Sequence, residues 1–354
     1  MENKKQEITM LDLMQQPAFR VENGVITQVN AAATGYCITP GQPVASLLSL
    51  SREDYATFNE GYLYLPLSID EQVHCATVMK VDGGDTFVLE SPQDPCQFQA
   101  LALAAKELRI PLAGLMTGLE RIVSQDCTAQ AQETATQLQR RIMQMHRIIN
   151  NMSDCSNTAS SDTTELIDLC RPLEEILSKS AHALQSIGIT LNYSIPTQPI
   201  YTLANQQKLE RAVYNLISNA AKFSPAGGLI QADVRRNGNR VAISIADQGN
   251  GVTNRADIFT RYLRHPALED SRNGIGLGMV FVRAAAIAHG GTVLVDQPEN
   301  GGTRVTMTIS ICESKHTQVR SPKIRFDYAG EQDHCLLELS DVLPAHLYAP
   351  QHQK

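Results

Sequence analysis

The stretch NLISNAAKFSP, Asn215–Pro225, decides how the rest of the chain is read. Asn215, Asn219 and Lys222 recur four and then three residues apart, so on a helix they share one face. Two amides and an ammonium on one face, beside an apolar core face, are unusual for a buried helix. An asparagine oxygen is a hard donor suited to Mg²⁺, and a lysine suits phosphate. The ordinary alternative is a solvated helix face, and this stretch alone does not choose between the two.

Around it, strand and helix patterns alternate from Glu165 to Ile311. ELIDLC, GITLNYSI, LIQADVRR, RVAISIAD, GTVLVDQ and GTRVTMTISI read as strands. PLEEILSKSAHALQSI, NQQKLERAVYNLISNAAKF and GLGMVFVRAAAIAH read as helices. This pattern predicts an α/β sandwich with helices on one sheet face.

Before it, from Leu101, the period changes. Leu101, Ala105, Leu108, Leu112, Leu115, Leu119 and Ile122 alternate spacings of four and three, as do Leu138, Ile142, Met145, Ile149 and Met152. A 3.5-residue period marks helices that pack as a bundle or coiled coil. Two such helices form an antiparallel hairpin, and two hairpins a four-helix bundle, so a homodimer is expected. Nearer the N-terminus, AFRVENGVITQVN and HCATVMKVDGGDTFVLES carry hairpin signals around ENG and DGGD. They flank the more helical PVASLLSLSREDYATF, which suggests a small α+β sensor-type domain. After Ile311 comes an extension with one hairpin-like stretch, KIRFDYAGEQDHCLLELS.

The 354 residues fit two to three domains. A net charge of −7 and the absence of Trp argue against a nucleic-acid or anionic-membrane surface. The N-terminus lacks a secretory signal pattern, and no apolar run is long enough to span a bilayer, so a cytoplasmic protein is expected. Eight scattered cysteines, with no C-x-x-C pair, read as reduced thiols rather than a zinc cage.

Three further clusters follow the first. DQGNG, Asp247–Gly251, ends an apolar strand, where a carboxylate can accept from an exocyclic amine and glycines permit close approach. NGIGLGMVFV, Asn273–Val282, places glycines before a helix whose N-terminus can hold phosphate. No G-x-x-x-x-G-K-[ST] occurs, so this is not a P-loop. NGGTRVTMTI, Asn300–Ile309, is a tight turn into a final strand. Each alone has an ordinary structural explanation.

In order and spacing the four together resemble the N, G1, G2 and G3 boxes of the sensor histidine kinases. Their wider ATPase family includes the ninety-kilodalton heat-shock chaperones and DNA gyrase B. The resemblance runs from about Phe98 to Ile311. It implies a multi-domain α+β protein: a PAS-like sensor over 1–94, a two-helix dimerisation and phosphoacceptor-type hairpin over 95–158, a Bergerat-type ATP-binding domain over 159–312, and an extension over 313–354. It implies ATP and Mg²⁺ as cofactors and a response regulator or other signalling protein as partner.

By resemblance, Asn219 meets the metal, and Asn215 stands where the wider family often has its water-activating glutamate. Lys222 meets a phosphate, Phe223 lines the pocket, and Asp247 reads the adenine amine. Gly249 and Gly251 leave room for the base, and Gly274, Gly276, Leu277 and Gly278 shape the phosphate loop. Thr303 supports the adenine through water. Arg261, Arg264 and Arg272 lie on the lid, where they offset phosphate charge.

AAKELRIPLAGL, Ala104–Leu115, resembles the family's acceptor helix, of the form S-H-E-[LF]-R-[TN]-P-L, with Lys106 in place of the histidine. Glu107, Leu108, Arg109, Pro111 and Leu112 match. A histidine near pKa 6.5 is largely neutral at pH 7; a lysine near 10.4 is neutral in only about one molecule in 2,500. Glu107 beside it favours the charged form further. Ile110 replaces the family's Thr or Asn that positions water for dephosphorylating a partner, and isoleucine has no polar atom for that task. His146, on the second helix and off its seam, is read as a surface histidine rather than a substitute acceptor. Two functional classes stay open: a kinase acting on another residue or protein, and a degenerate, ATP-gated dimeric scaffold.

Overall fold

A computed structural model of the chain describes residues 11, 14–49, 51–81, 83–90, 95–123, 128–156, 164–251, 278–312 and 333–349. The chain divides into two compact units. One is Met1–Gln93 with Gly290–Asp296; the other is Asp94–His289 with Gln297–Lys354.

In the first unit, β1 (Ala18–Glu22) and β2 (Val25–Val29) form a hairpin. Its turn residues Asn23 and Gly24 both have positive φ, as a tight right-twisting hairpin requires. Two 3₁₀ turns, Ala33–Tyr36 and Val44–Ser46, and the short α1 (Arg52–Thr57) follow. Then come β3 (Tyr62–Ile69), β4 (Gln72–Val81) and β5 (Gly84–Leu89). The order is β2-β1-β5-β4-β3, antiparallel throughout, and Val293–Asp296 pairs antiparallel along the outer edge of β3. Phe19 and Phe87 stack at 4.7 Å in a core with Leu63, Leu65 and Val78.

The second unit opens with α2 (Pro95–Val123) and α3 (Ala129–Ser156). Pro111 lies inside α2 without ending it. The helices run antiparallel: Arg109 reaches Asn150, and Met116 and Leu119 line one small cavity with Gln139, Ile142 and Met143. Only half of each heptad seam is covered within the chain. Ala105, Leu112 and Leu119 pack against Ala135, Ile142 and Ile149. The other half stays in water: Leu108, Leu115 and Ile122 on α2, Leu138 and Met145 on α3, each 43–55% exposed.

Next come β6 (Glu165–Asp168), α4 (Cys170–Gln185), β7 (Thr190–Ser194), β8 (Tyr201–Ala204), α5 (Gln206–Phe223), β9 (Leu229–Asn237) and β10 (Arg240–Ala246). After the interval comes α6 (Gly278–Ala288), then β11 (Val293–Asp296, the edge strand of the first unit) and β12 (Arg304–Ser310). Here the sheet order is β12-β10-β9-β7, and β7 alone runs parallel to its neighbour. β6 and β8 form a separate antiparallel ribbon. Alternate residues Ile230, Ala232, Val234, Val241, Ile243, Ile245, Met307 and Ile309 are buried on the sheet face that α4, α5 and α6 cover. The strand β8, in the Pro-flanked PIYTLA, was not expected from its pattern. Among the described strands it is paired with β6, and it leaves Leu203 exposed.

The C-terminal stretch corrects an expectation. Its described part is not a hairpin arm but a helix, α7 (His334–Glu338), followed by a 3₁₀ turn over Ala345–Tyr348. Asp333 Oδ1 accepts from the amides of Cys335 and Leu336, capping the helix. A short apolar run such as CLLEL fits either period, and the cap decides for helix. The other residues of the expected hairpin, 323–332, lie outside the described residues.

Candidate nucleotide site

The site rests on α5. Asn205 caps it, its side chain accepting from the Lys208 amide at 3.0 Å. The apolar face of Leu209, Val213, Leu216, Ile217 and Ala220 enters the core. That registration sets Asn215, Asn219 and Lys222 along a common edge, Asn215 fully buried, Asn219 partly buried and the Lys222 side chain only 9% exposed. α6 comes in close beside them. A Cβ at Gly278 would stand 3.0 Å from Asn215 Oδ1 and 3.8 Å from Asn219 Nδ2, so the first glycine of α6 is a contact position.

At the other end, Asp247 follows β10. Its Oδ1 accepts from the amides of Gly249 (2.8 Å) and Thr303 (3.2 Å), while its own amide donates to the Thr303 carbonyl at 2.9 Å. Burial raises its pKa above the ordinary carboxylate value, and the two amide donors oppose the shift. The backbone crowds round this carboxylate. A Cβ at Gly249 would collide with the Phe223 carbonyl, and one at Gly302 (φ +83°) with the Asp247 carbonyl. Gly251 (φ +73°) lies against Gly302 and Gln297. α5, the β10 end and the turn before β12 therefore meet around Asp247. Phe223, at the end of α5, is exposed. Arg261, Arg264, Arg272, Gly274, Gly276 and Leu277 lie outside the described residues.

The donor set suits an adenine nucleotide at the Asp247 end, where a buried acceptor stands in a cradle that admits no side chain. At the Asn215 end the same groups already have partners from the chain. Asn215 Nδ2 donates to the Arg211 carbonyl at 2.8 Å, and its Oδ1 accepts from Arg147 Nη2, on α3, at 3.0 Å. Lys222 Nζ donates to Asp341 Oδ2 at 2.7 Å, and Arg147 Nη1 reaches the same oxygen at 2.7 Å. Glu338, with no exposed surface, lies between two guanidiniums: Arg211 Nε at 3.1 Å and Arg147 Nε at 3.3 Å. Arg211 also donates to Asn151 Oδ1 at 2.7 Å and lies over the Phe281 ring.

Burial pulls the Asp341 carboxyl up, but Arg147, Lys222 and Arg140 overcome it, and the net shift is below the ordinary value. Lys222 is lowered by burial and by Arg147, against the pull of Asp341. The two shifts point opposite ways for the pair. The three cations round one carboxylate favour its ionised form.

Arg147, Arg211, Glu338 and Asp341 were missed from the sequence. Arg147 and Asp341 are 194 residues apart, and neither lies in a motif. On α2, Lys106, Glu107 and Ile110 are exposed. His146 is half-buried rather than fully on the surface.

Residues 204–312 match the family of histidine kinase-, DNA gyrase B- and HSP90-like ATPases. Those residues form an ATPase domain of that family. The chain is 25% identical over 290 residues to the sensor histidine kinase WalK of Bacillus subtilis, covering 77% of this chain and 46% of that protein. It is 26% identical over 214 residues to the histidine-protein kinase/phosphatase MprB of Mycolicibacterium vanbaalenii, covering 56% and 43%. It thus spans less than half the length of those curated relatives. In fold it resembles full-length ShkA, crystallised with AMPPNP, at a TM-score of 0.51 and 22% identity, over 61% of this chain and 46% of that one. No helix among the described residues is long and apolar enough to cross a membrane.

Proposed function

We propose that the ATPase domain binds ATP with Mg²⁺ and that the chain is a signal-transduction protein of the two-component type. The observation that carries the nucleotide reading is the buried Asp247 carboxylate in its glycine-lined cradle. Asp247 would accept from the adenine amine, with Gly249, Gly251 and Thr303 shaping the wall and Phe223 flanking it. Lys222 would meet phosphate and Asn219 the metal, beside Asn215 and Gly278. ATP would supply a transferable phosphoryl group. Lys106 would not take it, because an exposed ammonium carries no lone pair.

The exposed half-seams of α2 and α3 support a homodimer in which they close a four-helix bundle. The antiparallel sheet of the first unit supports a PAS-like sensor, and a response regulator is the partner expected on the hairpin. A second reading, a scaffold without phosphotransfer, is favoured by Lys106 and by the apolar Ile110. Titration calorimetry with Mg·ATP on the parent and Asp247→Asn tests the nucleotide reading. Binding weakened at least tenfold in the variant is the expected result; equal affinity in both overturns the adenine assignment.

A further inference from the structure

The C-terminal segment Asp333–Ala349 is built into the unit that holds the ATPase domain. Leu337, Leu339, Leu343 and Tyr348 have no exposed surface. The Tyr348 hydroxyl donates to the Leu336 carbonyl at 2.8 Å, closing the segment on itself. Arg140 donates to the carbonyls of Ser340 (3.1 Å) and Asp341 (3.2 Å), and Gln144 to that of Ser340 (3.0 Å), which pins the segment to α3. α7 itself contacts α3, α4 and α5.

On α5 the segment reaches Glu210, Arg211 and Lys222, and Lys222 lies on the edge proposed for metal and phosphate. A carboxylate, Asp341, sits on Lys222, where an anionic phosphate would be held. A cation, the Arg147 guanidinium, sits on the side-chain oxygen of Asn215, one turn before Asn219, the proposed metal ligand. Asp341 and Glu338 hold that guanidinium in place. The charges of a metal–phosphate pair are thus reproduced by groups of the chain itself.

We propose that Asp333–Ala349 is an intramolecular competitor of Mg·ATP, its Asp341 occupying the phosphate end of the site through Lys222. The proposal rests on the nucleotide reading above. Docking and nucleotide exclude each other, so each weakens the other by the same factor. The apparent dissociation constant is raised by the inverse of the undocked fraction. Because the segment also grips α3, nucleotide entry would loosen the tie between the helical hairpin and α5.

Two measurements on the full chain test it. In calorimetry with Mg·ATP, Asp341→Asn is expected to bind roughly tenfold tighter than the parent or better. Removing a negative charge would by itself help an anion, so the second measurement leaves the chain unaltered. Hydrogen exchange of the amides of Leu337, Leu339 and Leu343, bonded to Asp333, Cys335 and Leu339 carbonyls, is followed in the parent with and without saturating Mg·ATP. Exchange is expected to quicken severalfold with nucleotide. Protection that persists while nucleotide is bound overturns the competition and leaves the nucleotide reading standing. Binding to neither parent nor variant overturns the nucleotide reading, and the competition falls with it. Binding to the variant alone supports both.

Discussion

Asp341 Oδ2 lies 2.7 Å from Lys222 Nζ across 119 residues of chain, and Arg147 Nη1 lies 2.7 Å from the same oxygen. A lysine expected to hold phosphate is held by a carboxylate. The pairing joins α5, α3 and the C-terminal segment at one atom, so substitutions there report on all three.

The buried Glu338 is the first place to look for stability. Arg147→Ala removes one of the two described guanidiniums at Glu338 and leaves Asp341 with Lys222 and Arg140. Breaking a buried ion pair from one side costs about 3–5 kcal/mol. A fall in melting temperature of roughly 6–20 °C is expected for a unit of this size, read by differential scanning fluorimetry. An Arg147→Ala melting temperature within a degree of the parent would show the network to be solvated.

The pH response of the segment follows from Asp341. The groups facing it are Arg140 and Arg147 from α3 and Lys222 from α5. Its folded pKa is lowered, so its contribution is fully present above the ordinary carboxylate range, about pH 4, and is lost as pH falls through the lower folded value. The chain has no Trp, so Leu347→Trp provides a single fluorescent reporter in the segment. Its emission should stay constant from pH 7 to about pH 4 and shift only below. A transition near pH 6 would mean that another group governs docking.

Two leucines three residues apart separate the hairpin from the dimer. Leu112 is 2% exposed against α3, whereas Leu115 is 55% exposed. Leu112→Asp would bury a charge within the hairpin and unfold it. Leu115→Asp with Leu108→Asp should leave the helical circular dichroism intact and convert the dimer to a monomer in light scattering. A parent that is monomeric at micromolar concentration contradicts the dimer.

Gly302 has φ +83°, and a Cβ there would overlap the Asp247 carbonyl. Gly302→Ala should cost about 2 kcal/mol or more and weaken nucleotide binding with it, since the carbonyl must move and Asp247 with it. Gly227, also at positive φ but with nothing near its missing side chain, is the control. Gly227→Ala should reduce stability alone, leaving calorimetric affinity unchanged.

The parent should carry no phosphohistidine on α2. Lys106→His supplies an acceptor beside Glu107 and Arg109, and alkali-stable label from ATP is the expected gain. If the C-terminal segment competes with nucleotide, Lys106→His with Asp341→Asn should label faster than Lys106→His alone. Alkali-stable label on the parent would instead direct attention to His146.

Much of this was legible in the residues. The four-and-three spacing of Asn215, Asn219 and Lys222 places them on one face of a helix. The heptads gave the hairpin, because a 3.5 period has few other causes. What stayed hidden was non-local. Periodicity gives the same signal for Leu112 and Leu115, and only packing tells the covered half-seam from the open one. Asp341 is one carboxylate among 37 acidic residues until tertiary structure sets it on Lys222. α7 was read with the wrong period because five residues hold barely one helical turn.

The edge strand Val293–Asp296 completes the sheet of the first unit by pairing with Tyr62–Tyr64, although about 230 residues of chain separate them. During synthesis the ribosome makes Met1–Gln93 long before that strand exists. For that interval β3 presents bare amides and carbonyls along its outer edge, a ready template for another chain. A fragment ending near Gln93 would stay in that state permanently. Such fragments should aggregate or pair through β3 in proportion to concentration, while a chain extended beyond Asp296 should not.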